Sequence, residues 1–227
     1  MMTPVQRWSA PLPEVDLREM LRYAACRAPD EQVTALAASA AEEGCRVLRP
    51  ALCWREVPLT VTVHRVDLGF TAFDSQKLAA VLTGCDRAVI FAATMGLELD
   101  RLIARHGRLS PARGLMLQAL GAERIEALCD SFCDFLAAEY APLTVRRRFS
   151  PGYGDLPLAL QPQLLSAVEA QRIGVTSTDT HLLLPQKSVT ALVGISETPQ
   201  AARIRGCKYC TMNKTCNLRK AGMTCDL

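Results

Sequence analysis

The chain has 227 residues, of which 49% are apolar, enough for one large domain, or one domain with a small appendage, around a substantial core. Its 26 lysines and arginines against 23 acidic residues leave a net charge of +3, too close to balance for a general nucleic-acid binder. No apolar run reaches the roughly 18 residues of a membrane span and Met1–Pro13 lacks the regions of a secretory signal, so a soluble cytoplasmic protein is expected, with neither nucleic acid nor membrane as partner.

The first helix is expected over 14–28, with Leu17, Met20, Leu21 and Ala24 on one face and Pro29 closing it. Asp30 caps a second helix over 31–44, ended by Gly44. From Val57 to Val66 apolar and polar residues alternate, with Leu59, Val61 and Val63 inward, which predicts a half-buried strand. Asp74 or Ser75 opens a short helix to Leu82, and Gly84 ends it. The unbroken apolar run 87–94 reads as a fully buried strand, followed after Gly96 by a helix to about His106. The longest helix spans 112–139 and carries Leu115, Leu117, Ala119, Leu120, Ile125, Leu128, Phe132, Phe135 and Leu136. Beyond it, 161–171 reads as a short helix, and 180–184 and 188–195 as a strand pair joined through Pro185-Gln186-Lys187. Strands and helices do not alternate as clean βαβ units, so an α+β domain is expected, with a twisted antiparallel or mixed sheet flanked by helices.

Chemistry concentrates after the long helix. A basic cluster, Arg146 to Arg148, leads into Pro151-Gly152-Tyr153-Gly154, and Pro157 follows. Glycines and prolines so close together specify a turn, and glycine lets a ligand lie against the main chain. Arg148 and Tyr153 can flank one small anionic or heteroaromatic ligand. Gly152-Tyr153-Gly154 is not a dinucleotide fingerprint: the third glycine is missing, and no strand and long helix enclose it.

The pattern Arg148-x-x-Pro151-Gly152-Tyr153, a helix, and then Lys187-Ser188-Val189 in a final apolar strand resembles the S-adenosylmethionine-binding activation domain of cobalamin-dependent methionine synthase. The resemblance covers about 15–196 and is strongest in the last fifty residues. It implies a twisted antiparallel sheet with flanking helices, in agreement with the class read from the elements. It implies that the Arg-x-x-x-Gly-Tyr segment holds S-adenosylmethionine, with Arg148, Pro151, Gly152, Tyr153 and Gly154 as ligand residues. It also implies an acidic contribution from the long helix: Glu123 and Glu126 both lie in the right region, with Glu126 favoured, and Asp155 is a further candidate. The reaction served is reductive methylation of an oxidised cobalamin, which needs no protein nucleophile, and the isolated His64, His106 and His181 agree with that. The Asp-x-His-x-x-Gly signature of corrinoid carriers is absent, so the cobalamin is expected on a partner, either a corrinoid protein or a methionine synthase lacking its own activation domain. The C-x3-C-x2-C loop of radical enzymes is missing as well.

Ten cysteines exceed what packing needs. Cys26, Cys45, Cys53, Cys85, Cys129 and Cys133 are scattered, and the pair 129/133 on one helix face is read as packing. Cys207, Cys210, Cys216 and Cys225 form C-x2-C-x5-C-x8-C in a basic tail, which divides the chain into a domain over 1–196 and a cysteine-rich appendage over 197–227. Four thiolates suit a tetrahedral site, so an iron–sulfur cluster, a structural zinc and unligated redox thiols all fit. The whole reads as a stand-alone, methyltransferase-type activator of a corrinoid protein, with a flavodoxin or ferredoxin as possible electron donor. The alternatives are a non-catalytic S-adenosylmethionine-binding module with a zinc tail, and an iron–sulfur electron-transfer protein in which the binding fold is vestigial.

Overall fold

The computed structural model describes residues 2–198. The cysteine motif at 207–225 lies outside the described residues. Strand β1 (Gln6–Trp8) is followed by helices α1 (Leu17–Tyr23) and α2 (Glu31–Val47), each opened by an aspartate, Asp16 and Asp30, whose carboxylate accepts from free backbone N–H groups of the first turn. α1 is shorter than the sequence predicts at both ends. α2 runs past Gly44, which packs against Leu117 and Leu120 of the long helix. This glycine therefore permits close helix contact instead of ending a helix.

Strand β2 spans Ala51–Pro58, ahead of the strand expected at 57–66. The alternation that continues beyond it belongs to a separate three-stranded sheet of β3 (Thr60–Val61), β4 (Arg65–Asp67) and β5 (Ala72–Asp74). The chain bends at Val63, whose side chain is 79% exposed, and Thr62 N–H donates to Arg65 O at 2.9 Å. The period-two pattern thus runs through a turn, and Val63 faces water. Helix α3 (Gln76–Leu82), strand β6 (Arg87–Thr94), helix α4 (Leu97–Leu109) and helix α5 (Pro111–Glu139) follow the predicted positions closely. Strand β7 (Thr144–Val145), helix α6 (Gln161–Ala167), the two-stranded ribbon of β8 (Thr176–Ser177) and β9 (Leu183–Leu184), and strand β10 (Ser188–Ser196) complete the described chain. β9 pairs with β8 and not with β10 as expected, while β10 pairs along its length with β6.

The main sheet has the order β1-β2-β6-β10-β7, and each neighbouring pair is antiparallel. Its two faces are both covered. Trp54, Val89, Phe91, Ala93, Ala191 and Val193 pack under α1, α2, α4 and α5, while Cys53, Ile90, Ala92 and Leu192 pack against α3, α6 and the small sheet. Burial on both sides explains why β6 reads as an unbroken apolar run even in an antiparallel sheet. α5 is clasped by three helices and the sheet, so apolar residues surround most of it, although Leu115 remains exposed. Among the described residues no helix is long and apolar enough to cross a membrane.

Gly44→Val is expected to destabilise the domain by about 1–3 kcal/mol, because fully buried Leu120 has no room to withdraw. Urea unfolding should show a lower midpoint at unchanged slope.

Candidate functional site

After α5 the chain turns back and runs beside the last strand. Val145 lies opposite Ile195 and Phe149 opposite Leu192. Three residues, Arg146 to Arg148, separate the first pair of positions on one side, and two, Val193 and Gly194, separate them on the other. The difference of one residue is a β-bulge, which changes which side of the sheet the following side chains face. Val145 packs toward α5, and so does Arg148, whereas Arg146 and Phe149 go to the other side. In a regular strand Arg146 and Arg148 would share a side.

The redirected guanidinium of Arg148 meets two carboxylates of α5. Nη2 donates to Glu126 Oε2 at 2.5 Å, Nη1 donates to Asp130 Oδ1, and Nη1 also lies 3.9 Å from Cys133 Sγ. Glu126 and Asp130 are four apart, so α5 presents both on one face. Burial by itself lowers the tendency of this guanidinium to stay charged, but the Asp130 hydrogen bond and the carboxylate charges outweigh it and raise its pKa. Glu126, favoured through the resemblance as an acidic ligand contact, is paired here with Arg148. Asp130, which the sequence reading does not single out, joins the pair, and its i+4 spacing from Glu126 is the signal that points to it.

Glu123 points elsewhere. It is buried against Arg124 at 2.5 Å and accepts from Asp16 N–H at 3.2 Å, while Arg124 donates to the carbonyls of Pro13 and Glu14. Together they fasten the segment before α1 to α5. Cys129 and Cys133 behave as packing residues: burial pushes both thiols up, with Arg148 opposing.

The glycine turn is internally bonded. Tyr153 N–H donates to Ser150 O at 3.1 Å, Gly152 N–H to Leu156 O at 2.9 Å and Leu156 N–H to Tyr153 O at 3.0 Å. Pro151 is buried beneath it. Gly152 and Gly154 adopt φ of 89° and 60°, the left-handed region that glycine occupies without strain. A Cβ on Gly154 would lie 2.7 Å from Lys77 Cδ, so the missing side chain lets α3 approach. Tyr153 is 57% exposed, its ring presented at the surface.

Asp155, the further acidic candidate, serves α3 instead. It accepts from Ser75 Oγ at 2.5 Å, Gln76 N–H at 2.8 Å and Lys77 N–H at 3.2 Å. Burial acts to raise its pKa, but these donors prevail and hold the carboxyl below its ordinary value. The Lys187-Ser188-Val189 stretch opens β10. Ser188 Oγ donates to Thr94 Oγ1 at 2.8 Å, and the Lys187 stem crosses Gly121 of α5, where burial lowers its ammonium pKa and Asp100 opposes that shift. His106 bonds Glu43 at 2.9 Å, and no group of three or more His, Cys, Asp or Glu among the described residues is placed to hold a metal.

No protein-family model matches the chain, and no curated protein matches it. Solved structures do. One is the crystal structure of the MetH reactivation domain bound to AdoHcy, with a TM-score of 0.60 at 16% identity, over 97% of this chain and 86% of that one. This protein has the fold of that reactivation domain: mixed helices on a curled antiparallel sheet, as expected from the sequence.

Asp155→Ala is expected to cost about 0.5–2 kcal/mol by exposing the first turn of α3. Because the folded carboxyl titrates below its unfolded value, the difference from wild type should be full above about pH 4 and shrink as pH falls further. Unfolding at pH 7 and pH 3 checks both.

Proposed function

We propose that the chain binds S-adenosylmethionine at Arg148, Glu126, Asp130 and the Pro151–Gly154 turn, and supports reductive methylation of a cobalamin carried by another protein. The observation that carries the reading is the guanidinium of Arg148 set between two carboxylates, on the fold of a domain solved with AdoHcy. The amino-acid end of the nucleoside is a zwitterion. Its carboxylate suits Arg148, whose Nε makes no hydrogen bond among the described residues. Its ammonium suits Asp130 and Glu126, already on the same side. The exposed Tyr153 ring offers a face to the sulfonium, and the glycine backbone offers close approach to the nucleoside.

The ligand supplies the methyl group, and the partner's corrinoid supplies the cobalt nucleophile once reduced. The residues of this chain bind and orient, which raises effective concentration without a protein nucleophile. The partner in this reading is a corrinoid protein or a methionine synthase without its own activation domain. Cys207, Cys210, Cys216 and Cys225 would hold an iron–sulfur cluster that relays the electron, or a structural zinc. The basic residues among them suit an acidic donor such as a flavodoxin or ferredoxin. The second reading, a binding module without turnover, is favoured if the tail carries zinc.

Arg148→Ala should weaken S-adenosylmethionine binding on the order of 10- to 100-fold by calorimetry, the worth of a charge-assisted contact, while circular dichroism stays that of wild type. An equal heat of binding in both proteins would remove the reading. After anaerobic purification a brown protein with a thiolate-to-iron absorption is expected, and stoichiometric zinc would exclude the cluster. Formation of S-adenosylhomocysteine only with reductant and a cobalamin protein separates turnover from binding.

A further inference from the structure

A cleft of about 520 Å³ opens between the start of the chain, β2, the turn from β4 to β5, and α6. That volume is within the range of small-molecule sites, roughly 300–1,000 Å³. Arg55 of β2 lines it. Two residues earlier, Cys53 packs on the α6 side of the main sheet, and alternation along the strand sends Arg55 to the same side. Arg148 lies on the opposite side, toward α5. Two carbonyls hold the Arg55 guanidinium in place: Nε donates to Thr3 O at 2.8 Å, and Nη1 to Ala167 O, at the end of α6, at 2.9 Å. Nη2 makes no hydrogen bond among the described residues and is accessible to water.

The other polar side chains that line the cleft, Gln163 and Ser166, can both donate, and no acidic residue lines it. Gln163 Oε1 accepts from Thr71 Oγ1, which leaves its amide nitrogen to donate. The same bond ties α6 to the turn that carries Phe70, and so fixes one wall. Ser166 adds an exposed hydroxyl. Acids close in sequence to the lining residues are engaged elsewhere. Glu56, next along β2, accepts from Tyr140 Oη at 2.7 Å on the other side of the sheet, and Glu169 pairs with Arg172 at 2.5 Å. Met2, Phe70 and Pro162 supply apolar surface. A fixed cation, two further donors and apolar walls suit an anion that carries an apolar body.

We propose that this cleft binds a small organic carboxylate. The carboxylate takes Arg55 Nη2, Gln163 and Ser166, and the apolar body lies against Phe70, Pro162 and Met2. The proposal is independent of nucleoside binding at Arg148.

The full chain is titrated into 4-fluorophenylacetate and, separately, into neutral 4-fluorophenylacetamide, and the ¹⁹F resonance is followed. The carboxylate should shift and broaden saturably, with a Kd on the order of 1 mM, and the amide should not. Ser166→Phe fills the cleft from an exposed position, and Gln163→Glu puts a negative charge in it. Each should weaken the carboxylate about tenfold or more, with circular dichroism like that of wild type. Arg55→Gln should do the same, and should it fail to fold, the two α6 variants decide. Arg148→Ala should leave the response unchanged. No response at about 10 mM, an equal response to the amide, or one that survives both Ser166→Phe and Gln163→Glu overturns the proposal. So does a response abolished by Arg148→Ala, since it puts the carboxylate at the other site.

Discussion

The guanidinium of Arg148 can meet Glu126 and Asp130 only because the chain between Val145 and Phe149 holds one residue more than the stretch of β10 beside it. Pairing on both sides of the bulge is fixed, by Val145 with Ile195 and by Phe149 with Leu192, so the extra residue cannot slide away. The carboxylates are fixed as well, because α5 is held by the sheet and three helices. Two rigid elements thus bring opposite charges together. The pair is partly open to water, with Asp130 the more exposed of the two acids, which suits exchange with a ligand better than a contribution to stability.

Three consecutive arginines show how far environment divides identical side chains. Arg146 is buried and forms no ion pair among the described residues, Arg147 is exposed, and Arg148 is paired with two acids. Their charge is the same, and their desolvation and partners are not. The acids divide in the same way. Glu123 is locked with Arg124 under the first helix, Glu126 and Asp130 face the candidate site, and Asp155 caps α3. Asp155 also ties the glycine turn to α3, and Gly154 clears the path for Lys77, so the turn is supported by an element far from it in sequence.

Long helices and the doubly buried β6 were legible, because each carries its own period or its own unbroken apolar run over enough residues. The strand at 57–66 was not, because alternation continued smoothly through the bend at Val63 while the pairing that defines β2 lies with β6, distant in sequence. Gly44 fits a helix end in the sequence, since a glycine at a helix terminus and one at a helix crossing look alike without the neighbouring helix.

By itself the sequence determined the class of fold, the positions of most helices and the glycine turn, because local propensity and close spacing decide these. Through the resemblance it favoured Glu126 of the long helix as an acidic contact to the ligand. Tertiary structure alone decided that Asp130 joins it, that Glu123 and Asp155 have structural partners instead, and that Arg146 and Arg148 part company. The reason is that each of these depends on register: a shift of one residue against β10 moves a side chain to the other side of the sheet, and no local pattern records which strand will lie alongside.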